Sequence, residues 1–186
     1  GSEMCIRDRL DKDHSIMEFY PAHQAYQITK TNGFRTFLKI DHSYTEAFTE
    51  EDREHAMYIG MNELELEEKI EQKISVNVTY FTLPNEALGG LVRKVTVKNI
   101  DTTEHLVELL DGMPSLIPYG VSLNSMKEMG QTTKAWMQVE NLSERLPFFK
   151  VRASMEDSVD VHEVIGGHFS FGIDGKGLLP VLVDPY

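Results

Sequence analysis

The chain is poor in cysteine, because Cys5 is the single residue of that type. One cysteine excludes a disulfide bond within the chain. Domains of this size that fold without disulfides are typical of reducing compartments. We therefore expect a cytoplasmic protein.

A long apolar run is also missing. The longest uninterrupted apolar stretch covers residues 178–183, which is far short of the roughly 20 residues that a membrane-spanning helix needs. Near the start of the chain, Arg7, Asp8 and Arg9 interrupt the apolar stretch that a signal peptide would require. The sequence therefore predicts no membrane segment and no membrane partner.

Positive charge is scarce. The chain has 18 Lys and Arg against 30 Asp and Glu, which gives a formal net charge of −12. Such a surface repels the phosphates of nucleic acids and anionic lipid headgroups. This charge balance argues against nucleic acid as a partner and favours a neutral ligand such as a sugar. The alternative is that the acidic surface only maintains solubility.

The first residues do not match the rest of the chain. Gly1 and Ser2 are typical of a vector-derived start, and residues 2–9 resemble a translated sequencing adapter. We interpret residues 1–13 as a foreign or disordered leader. Residues 14–186 are then expected to form one β-sandwich domain that is truncated at its carboxyl end.

From residue 24 onward, short segments alternate between apolar and polar residues with a period of two. Glycine, proline, asparagine and aspartate separate these segments, and β-branched and aromatic residues are concentrated in them. This pattern predicts an all-β fold, an antiparallel β-sandwich with short helical pieces. The predicted strands cover residues 24–30, 34–40, 75–83, 92–99, 106–110, 135–139, 149–153, 159–164 and 168–173.

Two local features refine that prediction. Asn32 and Gly33 lie between the first two predicted strands and favour a tight hairpin turn there. The turn at residues 174–177, Asp-Gly-Lys-Gly, is expected to connect the last predicted strand to the residues that follow.

Two acidic segments depart from the strand pattern. Residues 49–57 begin with Thr49, a plausible N-cap, followed by three acidic residues in the first turn. Residues 62–72 are ambiguous, because Leu64 and Leu66 alternate like a strand while the glutamates after them favour helix. We expect short helices at residues 49–57 and, as the alternative to a strand, at residues 65–72.

Residues 111–134 show no clear period and contain several glycines and prolines. A connection of this length in a compact domain is usually functional or disordered, and its many apolar residues argue against disorder. Two interpretations stay open. The segment packs against another domain with Tyr119 at a ligand-facing position, or it closes one end of its own domain.

No catalytic motif is present in the sequence. A Gly-x-Ser-x-Gly nucleophile turn is missing, and the histidines are scattered without metal-ligand spacing. Glycoside cleavage requires a carboxylic acid, and Asp111, Glu128 and Asp157 are the carboxylates with apolar neighbours. For each of them, turn formation and capping is the competing interpretation.

Aromatic side chains that could stack on sugar rings include Tyr119 and Trp136. Burial in the core is the alternative, since aromatic residues contribute large areas to protein cores. The alternating run around Trp136 favours the core for that residue, whereas Tyr119 lies in the irregular segment.

Several segments resemble the amino-terminal part of glycoside hydrolase family 94 phosphorylases, which are also called cellobiose phosphorylase-like proteins. They are Tyr-Pro-Ala-His-Gln-Ala-Tyr-Gln at residues 20–27, Tyr-Phe-Thr-Leu-Pro-Asn-Glu at 80–86, Leu-Val-Arg-Lys-Val-Thr-Val-Lys-Asn at 91–99 and Leu-Asp-Gly-Met-Pro-Ser-Leu-Ile-Pro-Tyr-Gly at 110–120. Lys-Ala-Trp-Met at 134–137 and Val-Arg-Ala-Ser at 151–154 continue the resemblance. Within the family, the chain is most similar to the 1,2-β-oligoglucan phosphorylase branch.

The resemblance implies a β-sandwich of the supersandwich type that precedes a helical linker and a catalytic (α/α)6 barrel. Such enzymes cleave a β-glucoside with inorganic phosphate as co-substrate, invert the anomeric carbon, and need no cofactor and no metal. Their acid lies in the barrel, so no catalytic residue carries over to this chain. The implied partners are a β-glucan oligosaccharide, the barrel of the same protein and a second copy in a homodimer.

Asp111, Tyr119, Glu128 and Trp136 are then candidates for the substrate entrance or the barrel-docking surface. Two other functions remain as alternatives. A stand-alone carbohydrate-binding module would expose an aromatic strip and bind glycan by itself, and a small hydrolase would require a paired carboxylate site.

Overall fold

The computed structural model of the chain describes residues 16–17, 20–85, 89–154, 159–160 and 162–183. The leader expected at residues 1–13 lies outside the described residues. The chain divides into two compact units. We call the unit formed by Ala22–Ser115 unit 1 and the unit that contains Leu116–Tyr186 unit 2.

In its described residues, unit 1 has one helix followed by seven strands. These are α1 (Ala22–Asn32), β1 (Arg35–Ile40), β2 (Ser43–Glu46), β3 (Glu54–Ile59), β4 (Glu63–Ile70), β5 (Ile74–Thr82), β6 (Leu91–Asn99) and β7 (Val107–Gly112). The strands form two antiparallel sheets, one with the order β2-β1-β7 and one with the order β3-β4-β5-β6.

The two sheets of unit 1 share one apolar core. Leu38 and Ile40 of β1 are buried together with Ile70 of β4 and with Val76 and Val78 of β5. The alternation of buried and less buried residues along β1 and β5 is the period of two that the sequence shows. The predicted all-β fold, with antiparallel sheets and short helical pieces, is therefore confirmed.

The strands predicted at residues 75–83 and 92–99 are confirmed as β5 and β6. On β6, Val95 and Val97 pack toward the core, whereas Lys94, Thr96 and Lys98 are exposed. Both strands are long and rich in β-branched residues, so propensity and hydrophobic pattern agree.

The strand predicted at residues 24–30 and the hairpin at Asn32 and Gly33 are wrong, because residues 22–32 form helix α1. The segment contains good helix formers such as Ala25, Gln24 and Gln27, and Gly33 directly follows the helix, where glycine commonly stops one. The apparent alternation was too short to outweigh these preferences.

The helix predicted at residues 49–57 is also wrong, since that range contains a turn and most of β3. The ambiguous segment at residues 62–72 is strand β4, so the helix alternative at 65–72 is wrong as well. Leu66 and Ile70 face the core of unit 1, and pairing with both neighbouring strands outweighs the helix preference of the glutamates.

Unit 2 contains α2 (Leu123–Trp136), β8 (Met137–Glu140), a 3₁₀ turn (Leu142–Glu144), β9 (Phe148–Val151), β10 (His168–Phe169), β11 (Ile173–Asp174) and β12 (Gly177–Leu178). One antiparallel sheet has the order β10-β9-β8, and β11 pairs with β12 across the turn predicted at residues 174–177. Ile117, Val121 and Val151 form a small buried core. Helix α2 is interrupted at Met129, where the backbone leaves helical geometry.

Two predictions for this half of the chain need correction. Residues 111–134 are not irregular throughout, because β7 extends to Gly112 and α2 begins at Leu123. Instead of a strand at 159–164, the structure has an isolated bridge between Ala153 and Glu163 among the described residues there. In the part of the chain that the structure describes, no helix has the length and apolar character needed to cross a bilayer.

Candidate functional site

A charged cluster lies between the two sheets of unit 1, centred on Arg93 of β6. The Arg93 side chain is only 7% exposed. Its guanidinium carbon lies 5.1 Å from the ring centre of Phe34 and 5.0 Å from that of Tyr80, and the guanidinium also donates to the Tyr80 hydroxyl. The cation is therefore enclosed by two aromatic faces, which is a favourable arrangement once water is excluded.

Asp111, one of the predicted site residues, completes this cluster. Its carboxylate accepts hydrogen bonds from Arg93 Nε at 3.0 Å and Nη2 at 2.8 Å, and from Thr36 Oγ1 at 2.6 Å. Because Asp111 is on β7 and Arg93 is on β6, the pair joins the two sheets. Because both hydrogen-bond donors of Arg93 and the Thr36 hydroxyl occupy this carboxylate, it serves to join the sheets rather than to contact a glycan.

Glu68 on β4 is a second buried carboxylate, which the sequence analysis did not single out. It is completely buried, and its Oε2 accepts a hydrogen bond from the backbone N–H of Phe48 at 2.8 Å. Its Oε1 lies 3.6 Å from both Arg53 Nη1 and His55 Nδ1. Because this carboxylate has no access to solvent, it cannot contact a glycan. We infer that it stabilises the connection between β2 and β3.

A third charged cluster places His105 between two aspartates. Its Nδ1 lies 2.8 Å from Asp41 Oδ2, and its Nε2 lies 2.9 Å from Asp101 Oδ2. The hydrogen bonds with Asp101 and then Asp41 raise the pKa of His105, and the hydrogen bond with His105 is the main cause that lowers the pKa of each aspartate. Since both ring nitrogens face carboxylates, His105 is an ion-pair partner rather than a metal ligand.

No metal site is visible in the described ranges, since they contain no group of three or more His, Cys, Asp or Glu side chains that could hold an ion. Asp157, a carboxylate candidate from the sequence, lies outside the described residues. The three predicted site residues besides Asp111 belong to unit 2.

Tyr119 lies in the segment between β7 and α2, and it is half-buried. Its backbone pairs with β9, where the Tyr119 N–H donates to the Phe149 carbonyl at 3.1 Å. Its ring meets the His168 ring edge-on at 5.4 Å. The segment's apolar residues Ile117 and Val121 are buried in unit 2 itself, so this part of the segment packs within its own unit.

Trp136 and Glu128 are both on α2. Glu128 is exposed, and Trp136 is 41% exposed, so the core interpretation of Trp136 is wrong. Met129 of the same helix is exposed to a similar extent. We call these three residues the α2 surface. This surface combines two exposed apolar side chains with the negative charge of Glu128. Surfaces that contact another domain often have this composition.

The outward-facing side of the β2-β1-β7 sheet is a surface that the sequence analysis missed. Phe37 lies opposite Leu110, and its neighbour Lys39 lies opposite Tyr44, whose side chain is 79% exposed. Lys39 Nζ lies 5.8 Å from the Tyr44 ring centre. We call Phe37, Lys39, Tyr44 and Leu110 the outer face. The alternation of β1 could have revealed it, since Leu38 faces inward and Phe37 must face outward.

Charges on the outer face are paired. Arg35 forms an ion pair with Glu46 at 2.7 Å, and Lys39 forms one with Glu108 at 2.7 Å. An exposed aromatic ring between neutralised charge pairs can stack on the apolar side of a sugar ring while nearby polar groups bind hydroxyls.

No protein-family model matches the chain, and no curated protein matches it significantly. The function is therefore argued from the residues and their geometry.

Proposed function

We propose that the chain is the non-catalytic amino-terminal β-sandwich region of a cytoplasmic glycoside phosphorylase that cleaves β-glucans by inverting phosphorolysis. Inorganic phosphate would be the co-substrate of the whole enzyme, without a cofactor. The acid that protonates the leaving group would lie in a catalytic barrel outside this chain.

The observation that carries this proposal is the Arg93 cluster. Three of the segments that resemble the phosphorylase family each supply one member: Tyr80, Arg93 and Asp111. Their side chains meet in one cluster that joins two sheets. Residues with this role support a scaffold and are not arranged for chemistry on a glycan.

The α2 surface supports the docking part of the proposal. Trp136 and Met129 are exposed apolar side chains of unit 2, and Glu128 lies beside Met129 in the sequence. We propose that the catalytic barrel covers this surface, because large apolar side chains exposed on a protein surface can mark a contact with another domain. Tyr119 pairs through its backbone with β9 of the same unit, and Asp111 belongs to the Arg93 cluster of unit 1.

Activity measurements on two polypeptides test the proposal. The chain alone should release no glucose 1-phosphate from β-1,2-glucan or cellobiose in the presence of phosphate, because the acid of the proposed enzyme would lie in the barrel. The polypeptide from the intact reading frame, extended through the barrel, should release it. Release by the chain alone, or none by the extended polypeptide, would contradict the proposal.

Docking is tested separately with Trp136→Ala in the extended polypeptide. We expect it to weaken the attachment of the sandwich to the barrel, measured as faster protease cleavage between them. Leu142→Ala is the matched control, since Leu142 is exposed to a similar extent in the 3₁₀ turn of the same unit. Equal cleavage rates for both variants would show that the barrel does not cover Trp136.

A stand-alone carbohydrate-binding module is the second candidate, and the outer face favours it. In that case the chain alone should bind β-1,2-glucan in calorimetry, and Tyr44→Ala should weaken binding several-fold. Stacking of one aromatic ring contributes about 1 kcal/mol, or several-fold in affinity. Phe171→Ala, which removes an exposed aromatic ring of unit 2, is the control. No heat of binding at millimolar glycan would exclude this function.

A further inference from the structure

His105 lies in the connection between β6 and β7, which covers residues 100–106, and it joins this connection to the turn between β1 and β2. Its side chain is only 9% exposed, and its Nδ1 lies 2.8 Å from Asp41 Oδ2, 64 residues away in the sequence. Its Nε2 lies 2.9 Å from Asp101 Oδ2 in the same connection. The ring therefore bridges two carboxylates that belong to different segments.

The turn and the connection also bind each other through their backbones. The Asp41 N–H donates to the Leu106 carbonyl at 2.8 Å, and the Leu106 N–H donates to Asp41 Oδ1 at 2.9 Å. Asp41 has a φ of 54°, a left-handed conformation that aspartate adopts more readily than most residues. The Asp41 carboxylate thus receives two donors from the connection, one from Leu106 and one from His105.

The contacts of the ring require a proton on each of its nitrogens. An ionised carboxylate only accepts hydrogen bonds, and a neutral imidazole has one N–H. Both aspartates can therefore be bonded at the same time only when His105 is positively charged. The hydrogen bonds with Asp101 and then Asp41 raise the pKa of His105, in agreement with this geometry.

Other charged groups near the ring come from three segments. His42 lies in the turn between β1 and β2, Glu104 lies in the connection, and both are exposed. Lys73, in the turn between β4 and β5, interacts electrostatically with both aspartates and forms an ion pair with Glu71 at 2.6 Å. The charged groups in direct contact with the ring are the two aspartates, so they determine the charge state of His105.

Thr103 provides a second partner for the ring once a proton is lost. Its Oγ1 donates to Asp101 Oδ2 at 2.8 Å and lies 3.1 Å from His105 Nε2. While Nε2 carries a proton, the Thr103 hydroxyl is directed to Asp101. When Nε2 has lost its proton it becomes an acceptor, and rotation of the hydroxyl allows Thr103 to donate to it. Asp101 then keeps the Thr102 N–H as a donor at 2.6 Å.

We propose that His105 and Thr103 form a proton-operated switch between the connection and the turn. In the charged state, the ring bridges Asp41 and Asp101. In the neutral state, Nδ1 keeps its proton and its bond to Asp41, Nε2 accepts from Thr103, and the ring releases Asp101. The proton from Nε2 passes to solvent, and the chain keeps its covalent structure. The inference rests on the geometry of this cluster and is independent of the proposed function.

The direction of the pKa changes defines where the switch operates. Because the folded-state pKa of His105 is raised, the charged bridge stabilises the fold fully below about pH 6.5, and this contribution is lost as the pH rises through the folded-state pKa. The pKa values of Asp41 and Asp101 are lowered, mainly by His105, so their contribution is present above about pH 4 and lost as the pH falls. The switch to the neutral state therefore lies on the alkaline side of pH 6.5.

Nitrogen-15 NMR of the histidine rings tests the charged bridge. We expect both ring nitrogens of His105 to carry protons at about pH 6, with a titration midpoint above the ordinary value of about 6.5. Asp101→Asn should lower this midpoint, because it removes a negative charge from the ring. Glu104→Gln, which removes an exposed negative charge from the same connection, is the matched control and should change the midpoint much less. A neutral ring at about pH 6, or equal shifts in both variants, would overturn the charged bridge.

The same spectra above the midpoint test the neutral state. In the unchanged chain we expect the proton on Nδ1 of His105, and Thr103→Val should move it toward Nε2, because Nε2 then has lost its hydroxyl donor and faces Asp101 instead. Thr102→Val is the control, since it changes the neighbouring side chain and keeps the N–H that binds Asp101. A proton on Nε2 in the unchanged chain, or the same proton position with and without the Thr103 hydroxyl, would refute the switch.

Discussion

At the scale of single residues, the most consequential feature of unit 1 is the Arg93–Asp111 pair. Both side chains are largely removed from solvent, and the guanidinium also contacts Phe34 and Tyr80. Removing one member of such a pair leaves the other without its counter-charge. This lowers the free energy of unfolding by more than the loss of an ordinary hydrogen bond does.

We predict that Asp111→Asn lowers the free energy of unfolding by about 2–3 kcal/mol, because the neutral amide leaves the Arg93 charge uncompensated. Urea unfolding measures the effect. The m value, which is the slope of the free energy of unfolding against urea concentration, should stay unchanged. Glu108→Gln is the matched control on the same strand. Glu108 is exposed in its ion pair with Lys39, so its replacement should cost at most about 0.5 kcal/mol. Equal effects of both substitutions would show that Asp111 is not a structural residue.

At the scale of elements, the sequence predicted β5 and β6 well because long alternating runs of β-branched residues leave little choice of structure. Helix α2 was missed, although it has a recognisable start. Ser122 precedes the helix, and its Oγ accepts a hydrogen bond from the backbone N–H of Ser125 at 3.0 Å. The glycines at positions 120 and 130 concealed this signal, since they favoured a loop.

We predict that Ser122→Ala destabilises unit 2 by about 1 kcal/mol, because the Ser125 backbone N–H at the start of α2 loses its acceptor. Ser122→Asp should retain most of the stability, since aspartate accepts the same hydrogen bond and its charge suits a helix N-terminus. Thermal unfolding of the three proteins measures this order. Asn124→Ala, exposed in the first turn of α2, is the control, and a loss as large as that of Ser122→Ala would contradict the capping role.

At the scale of the whole molecule, the two units differ in the size of their apolar cores. Among the residues that the structure describes, unit 1 buries seven apolar residues in one cluster, with further residues packed around it, whereas the buried cluster of unit 2 has three. Since stability depends on the apolar area removed from water, and small cores are marginal, the units should differ when each is expressed alone.

We predict that Ala22–Ser115 folds by itself and that Leu116–Tyr186 does not. The first fragment should show a cooperative thermal transition and dispersed amide signals in NMR spectra, and the second should show neither. A cooperative transition in the second fragment would mean that its stability has a source other than the buried cluster of Ile117, Val121 and Val151.

By itself, the sequence determined that the chain forms mainly β-strands. Alternation assigned β5 and β6 and the inward and outward faces of β6. These properties depend on the order of residue types along the chain, which is local information.

Only the tertiary structure decided which strands face each other and which side chains stay exposed. It brought Arg93 and Asp111 together across two sheets, left Met57 and Ile59 of β3 uncovered, and exposed Trp136 on α2. It also made residues 63–70 a strand, although glutamates favour helix there. Burial depends on which element lies opposite, and that choice is made by packing between segments far apart in the sequence.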